Sequence, residues 1–408
     1  MPEHLQRAQL LIDQRRYDDA QEVLMMALAS TPDDPLVHIL LAFCFSHRDA
    51  HKEAIQHAET AVGIAPDFAY AHFTCAGILV AAGKNKAALN SAITAVHLES
   101  GDPDNHGILA FVQMTLKNWK LALEAAEAGL RIDPQDSRCL NVRAIALRSL
   151  GLTDESGLTV DSALSHDPED PWTHANKGWT QLYARDAKGA VESFQTSLRL
   201  DPNSEWARAG LVEALKARNP IYAVILRYFL WMSNLKAQVQ WGLIIGAVVG
   251  INVVNVIALK VPALATVGAV LIFLYLLFVL TSWSAVPFFN LILRFHPEGR
   301  HALNTPERQG ATWLGIVLFA IVSFDVFLVV TGDWNVWALI LPFLLVFPAV
   351  MACRARPGRP RILTVLYTVG AIGFLGGGIV LQRGEWIDAY TVMCVLATWI
   401  GNIVPRSH

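Results

Sequence analysis

The pattern of apolar and polar positions changes character near residue 219. Before it, apolar residues are interspersed with charges throughout. After it, six runs of about 20 apolar residues follow one another, each long enough to cross a bilayer: Val239–Leu259, Ala263–Trp283, Thr312–Thr331, Asn335–Cys353, Ile362–Leu381 and Trp386–Val404. The joint is the stretch NPIYAVILRYFLWMSNLKAQVQW, from Asn219 to Trp241. Pro220 suits the first turn of a helix, where its missing N–H has no partner to lose. Arg227 and Lys236 interrupt its apolar run, and Tyr222, Tyr228 and Trp231 lie within it. Residues 219–238 therefore read as an amphipathic helix lying in the membrane interface, with a buried core helix as the other reading.

Within the first part, Pro32, Pro66, Pro134, Pro168 and Pro202 stand in phase with a 34-residue period, and Ser100 fills the missing slot. Self-similarity at this period marks a helix–turn–helix solenoid. Small residues recur in the same phase: Ala8, Ala42, Ala76, Ala110, Ala144 and Gly178; Ala20, Ala54, Ala88, Ala122, Ser156 and Ala190; Ala27, Ala61, Ala95, Gly129, Ala163 and Ser197. Small side chains at those places let the helices of a hairpin approach closely. The pattern resembles the tetratricopeptide repeat family, with six repeats from Met1 to Ser204. Residues 205–218 read as a capping helix. Repeat five departs most from the pattern, with Arg143, Ser156 and Val160 at packing slots, which predicts local softening.

The resemblance implies a scaffold whose concave groove holds a peptide or helix of a protein partner. Its register lines the groove with Ile39, Phe43, Phe73, Phe111, Met114, Ile145, Trp172, Trp179, Tyr183 and Trp206, together with Arg138 and Arg148. Such a wall suits an amphipathic helix laid apolar side down, and the chain's own joint helix is a second possible occupant. Chaperone-binding members clamp a terminal carboxylate with Lys and Asn in the first repeats. Here those slots hold Leu5, Gln9 and Ile39, so that activity is not implied. His4, His38, His72, His106 and His174 share one slot of the repeat, with Leu140 as the exception. Ligand nitrogens must lie about 2 Å from a metal, whereas neighbouring helices pack about 8–10 Å apart. The ladder is expected to serve repeat packing.

Charge sharpens the division. Residues 1–220 carry 20 of the 32 Lys and Arg and 29 of the 35 Asp and Glu, leaving a basic excess in the remainder. The acidic array lacks the basic face that nucleic-acid binding needs. Basic residues cluster before the first run, after the second and fourth, and at Arg406, thirteen in all, against Lys260 and Arg383 in the other connections. The positive-inside bias predicts a multi-pass membrane protein with both termini and the array cytoplasmic. The N-terminus has no secretory-signal pattern. The apolar half bears a general similarity to bacterial multi-pass membrane proteins that carry an N-terminal repeat array, and that resemblance implies a bacterial inner membrane.

The expectation is thus an all-α chain: a solenoid over 1–218, a linker helix over 219–238 and a six-helix transmembrane bundle over 239–404. Gly242, Gly246 and Gly250, and the cluster from Gly370 to Gly378, predict close packing of spans one and five. Pro342 and Pro348 predict a bend in span four. Asp325 is the carboxylate well inside a span and therefore a candidate site. With Asn252, Asn255 and Tyr390 it forms a polar group at one depth, suited to an ion or proton site or to an interhelical contact. The connection 284–311 starts as an amphipathic stretch and carries Arg294, His296, Arg300, His301 and Arg308, which suit lipid phosphates or fix topology. Cys44, Cys75, Cys139, Cys353 and Cys394 show no metal or disulfide spacing. No catalytic motif is present, and neither a cofactor nor a metal is called for. The first functional expectation is a membrane-anchored interaction scaffold. A transporter or channel using Asp325 comes second and a lipid-modifying enzyme third.

Overall fold

The computed structural model describes residues 2–236, 285–295, 302–331, 341–355 and 359–380, with shorter pieces between 238 and 254, at 270 and between 385 and 397. Most of the expected spans Val239–Leu259, Ala263–Trp283 and Trp386–Val404 lies outside these residues, as do Asn252 and Asn255. Every described element is helical. Two compact units are present: residues 1–210 together with 232–236, and residues 211–231 together with 237–408.

The first unit is a tandem solenoid. The leading helices of the repeats are α1 (Glu3–Asp13), α3 (Pro35–His47), α5 (Ala69–Ala81), α7 (Pro103–Thr115), α9 (Ser137–Ser149) and α11 (Pro171–Tyr183). The following helices are α2 (Tyr17–Ser30), α4 (His51–Ile64), α6 (Asn85–Leu98), α8 (Trp119–Ile132), α10 (Thr153–His166) and α12 (Ala187–Leu200). Helix α13 (Glu205–Ala217) comes next in the series. Each helix packs on its hairpin partner and on the next repeat, and successive leading helices also touch, which makes them the concave layer.

Local chemistry explains these boundaries. Asp34, Asp102 and Asp170 cap α3, α7 and α11 by accepting from backbone N–H groups of the first turn, and each is followed by a proline at the first helical position. Asp136 caps α9 in the same way through Cys139 N–H at 2.7 Å. Such caps satisfy donors that a helix start leaves unpaired. The turn inside each hairpin needs one left-handed residue, and positive φ recurs in repeat phase at Arg15, Asp49, Gly83, Lys117, Gly151 and Arg185. Only two of those six are glycine.

The phased small residues are all buried, as the pattern requires. At Gly178 an added Cβ would meet the Phe194 ring at 2.8 Å, and at Gly129 it would meet Cys139 Sγ at 2.5 Å. The histidine ladder has a definite job. His38, His72, His106 and His174 each place Nε2 2.8–3.0 Å from the carbonyl six residues earlier, those of Pro32, Pro66, Ser100 and Pro168. Arg208, one repeat further on, donates to Pro202 O at 3.1 Å. The ladder thus pins the turns between repeats. Cys44, Cys75, Cys139 and Cys394 are buried and free, and burial pushes the Cys44 thiol up to about 11.

In the second unit, α14 (Pro220–Ser233) is capped by Asn219 Oδ1, which accepts from Ile221 N–H at 3.0 Å. It ends at Ser233, five residues short of the expected linker boundary. Tyr222 and Leu226 are buried, and Tyr222 lies against Phe289 of helix Ala285–Arg294 at 4.5 Å. Ile221, Val224 and Trp231 stay exposed.

Helix Thr305–Thr331 begins seven residues before the expected third span, because Asn304 and Glu307 form a reciprocal capping box at 2.8 and 3.0 Å. It contains a stretch, Thr305–Phe327, long and apolar enough to cross a membrane; this is the one such helix among the described residues. Of the fourth expected span, residues 341–353 are described: Leu341–Leu345, containing Pro342, is a 3₁₀ turn, and the nine-residue helix Val346–Arg354 follows directly. Helix Arg359–Val380 covers the fifth. Gly370 faces Met393, within the expected sixth span.

The left-handed turn slot gives a paired expectation. Nothing crowds a Cβ at Gly83, so Gly83→Ala adds only backbone strain and should cost about 1 kcal/mol. Arg185→Gly, in the same slot, should raise stability by up to about 1 kcal/mol. Urea unfolding followed by circular dichroism measures both.

Candidate functional site

The expected groove residues lie on the leading helices, and most are joined to one another. Ile39 and Ile145 are buried in the core. Phe43 is exposed, with His47 at 4.4 Å and Tyr17 at 6.4 Å. Phe73 stacks on Tyr70 at 5.9 Å, and the Arg138 guanidinium lies 5.1 Å from its ring. Phe111 meets Trp172 edge-on at 6.5 Å, and both pack with Met114 on one hydrophobic cluster. Trp179 stacks on Trp206 at 6.3 Å and meets Phe194 at 5.5 Å. Two of these contacts skip a repeat: Arg138 of repeat five reaches Phe73 of repeat three, and Trp172 of repeat six reaches Phe111 of repeat four. The concave wall is narrow enough to pair its own side chains.

Repeats five and six share a polar core. Arg148 is fully buried and donates through one nitrogen to Asn176 Oδ1 at 2.7 Å, with Thr180 Oγ1 at 3.2 Å and Asn176 O at 3.3 Å. Its Nε has no partner, and burial lowers its pKa to about 10. None of these acceptors is a carboxylate. Asn176 continues to Asn141, and Asn141 to Thr173 at 2.7 Å. The substituted slot Ser156 joins the network, donating to Ala144 O at 2.8 Å and lying 3.1 Å from Thr180 Oγ1. Repeat five therefore replaces part of its apolar packing with linked hydrogen bonds.

A third feature lies at the ends of the leading helices. Lys117, in the turn of repeat four, donates to Leu235 O at 3.0 Å and also to Ser233 O. Trp119 Nε1 donates to Asn234 O at 2.8 Å. Tyr183 OH, at the end of α11, donates to Asn234 Oδ1 at 3.3 Å, and the Arg148 guanidinium lies 5.4 Å from the Tyr183 ring. Burial lowers the pKa of Lys117. Residues 232–236 are thus held on this rim by donors aimed mainly at their carbonyls. The groove register names Tyr183 and Arg148 but passes over Lys117 and Trp119. The signal available was Trp119 itself, in a slot that the other repeats fill with Tyr17, His51, Asn85, Thr153 and Ala187.

The remaining candidates are more scattered. Asp325 lies on helix Thr305–Thr331, and its Oδ1 is buried with no hydrogen-bond partner. Tyr390 is fully buried in a cluster with Leu314, Ile321, Leu345 and Cys394. Arg294 donates to Thr312 Oγ1, and Arg308 lies on the first turns of the same helix. A cavity of about 450 Å³ runs between the helices of this unit, lined by Trp313, Phe324, Pro342, Val365 and Thr368, with Arg361 at its edge. No group of three or more metal-binding side chains occurs among the described residues.

Residues 5–67 match the family profile described as tetratricopeptide repeat. Among solved structures, the chain is similar to YrrB, titled a TPR protein with an unusual peptide-binding site, at 20% identity over 46% of this chain and 96% of that one, TM-score 0.33. Pseudomonas aeruginosa pilF shows 17% identity over 50% and 94%, TM-score 0.42. A tetratricopeptide repeat protein from Parabacteroides merdae shows 16% identity over 59% and 96%, TM-score 0.44. The N-terminal region is a tetratricopeptide-like solenoid. Repeats of this family generally mediate protein–protein interaction, and their fold is of a non-catalytic scaffold type.

The array carries a pH dependence of predictable sign. His57 Nδ1 lies 2.9 Å from His38 Nδ1, and its pKa is lowered by burial and then by that neighbour. His47 is lowered by burial and by Arg15. Both rings bind protons more readily in the unfolded chain, so their contribution is full above about pH 6.5 and shrinks as pH falls through that value. Melting temperature should drop between pH 7.5 and 5.5, and His57→Gln should flatten the drop in thermal melts across that range.

Proposed function

We propose that the protein is a membrane-anchored interaction scaffold, with the tetratricopeptide-like array capturing a helix or peptide of a protein partner and the apolar half holding it at the bilayer. The observation that carries the reading is the rim of repeats four to six, where Lys117, Trp119 and Tyr183 hold a short segment through its backbone. A surface that binds one segment in this way has the donors to bind another. Around it, the ring pairs Phe111–Trp172 and Trp179–Trp206 offer apolar area of the kind that anchors interfaces.

The membrane part of the proposal draws on the second unit. A soluble core helix would bury its apolar face, yet Phe319 and Val330 on helix Thr305–Thr331 are more than 75% exposed. Leu363 and Leu366 on helix Arg359–Val380 are also exposed. Contiguous apolar exposure on this scale suits lipid contact. The arrangement we propose keeps the six spans 239–259, 263–283, 312–331, 335–353, 362–381 and 386–404 in a bacterial inner membrane, with the array cytoplasmic. The exposed Ile221, Val224 and Trp231 of α14 suit an interfacial position. A second reading, a transporter, draws on the unpartnered Asp325 oxygen. Asp325→Asn would then abolish flux in proteoliposomes while leaving the fold intact.

Affinity purification from gently solubilised membranes, comparing the intact chain with one lacking residues 1–204, tests the scaffold. A partner should co-purify with the intact chain and be lost with the array. Phe111→Glu in the intact chain should reduce its recovery at least tenfold while circular dichroism shows an unchanged helix content. Equal recovery by both proteins overturns the reading.

A further inference from the structure

We propose that residues 232–236 are a built-in ligand of the array, occupying the rim of repeats four to six until a partner segment of like chemistry displaces them. The inference rests on the scaffold reading and adds what the site recognises and what keeps it closed.

The contacts define the chemistry. The last carbonyls of a helix have no partner within it and carry the negative end of its dipole. Residues 232–236 are the end of α14 and the three residues after it. Met232 O is taken by Leu235 N–H at 3.1 Å within the segment. The next three carbonyls, of Ser233, Asn234 and Leu235, each receive a donor from the array. Three successive carbonyls met by an ammonium and an indole N–H constitute a receptor for a helix C-terminus. Among the side chains of the segment, that of Asn234 is read by Tyr183.

The electrostatics point the same way. Lys117 is a partly buried cation, and Arg148, behind the Tyr183 ring, has no carboxylate among its partners. Lys117 therefore faces the partial charge of a helix end, while Arg148 stays on Asn176 and Thr180 behind the ring that reads Asn234. A partner helix ending in a comparable turn, with an amide or acidic side chain at the Asn234 position, satisfies the same donors and adds charge that the resident segment lacks. The resident segment has the advantage of tethering, which gives it an effective concentration in the millimolar range for a short connection. A free partner therefore competes at a disadvantage until the segment is released.

The test uses the full chain in nanodiscs and two readouts. Asn234→Pro with Leu235→Gly moves the carbonyls off their donors by forcing residue 233 out of the helical region while leaving the array untouched. Pulsed amine acetylation, read by mass spectrometry, should label Lys117 about tenfold faster in this variant than in the wild type, with Lys84 as the unchanged internal control. A fluorescent peptide of residues 228–238 should bind the variant at least tenfold more tightly than it binds the wild type. Adding Lys117→Met and Trp119→Phe should abolish that gain without changing the melting of the array. Equal labelling of Lys117 in both proteins, or equal peptide affinity for both, overturns the proposal. Neither readout depends on finding the cellular partner, so failure here and failure of the affinity purification are distinguishable.

Discussion

A helix end exposes backbone groups that need partners, and the array meets that need with side chains in repeats two to six. Buried carbonyls and N–H groups left unpaired cost as much as a lost hydrogen bond. Asp34, Asp102, Asp136 and Asp170 cap helix starts, and His38, His72, His106, His174 and Arg208 bind the carbonyls of the turns between repeats. With the turns fixed, the small residues of neighbouring helices come into register and the solenoid can stack. The rim of repeats four to six extends the same device to another part of the chain, since Lys117 and Trp119 serve carbonyls that belong to no repeat.

The second unit meets the same constraint with other residues. Asn304 and Glu307 close the start of the long apolar helix. Thr368 Oγ1 lies 3.1 Å from Pro348 O, and Tyr367 OH donates to Met393 O at 2.7 Å. Both reach backbone carbonyls of other segments. Under the proposed membrane reading no water is available to take those bonds, so hydroxyls that bind backbone carry more of the load than in the array. In the described part of the fourth expected span, Pro342, which lacks the N–H of a regular helical residue, sits in the 3₁₀ turn just before the short helix.

The repeat architecture was legible because its determinants are local and periodic: the buried small residues and the turn prolines each recur at one spacing. Curvature was not legible, because it sums small rotations between repeats. The register placed Phe111 and Trp172 on the concave side, but only the accumulated curvature brings them together across an intervening repeat. Repeat five shows another limit. Ser156 and Arg143 look like packing faults in sequence, yet Ser156 enters a hydrogen-bonded core and Arg143 lies 3.5 Å from Glu127. Lys117 and Trp119 stayed hidden because their role depends on residues more than a hundred positions away.

Recognition through carbonyls has a consequence for specificity. Every helix has a C-terminus, so the bonds from Lys117 and Trp119 cannot by themselves tell one partner from another. Discrimination then falls to the Tyr183–Asn234 contact and to the apolar rings of the concave wall, where shape and area decide. An internal segment holding the rim makes that discrimination stricter. A competitor that matches only the carbonyls faces a tethered rival with the same bonds, whereas one that also engages the ring-lined wall gains contacts that residues 232–236 are too short to make. The closed rim thus converts a generic backbone receptor into a selective one, and selectivity increases with the area a partner buries beyond it.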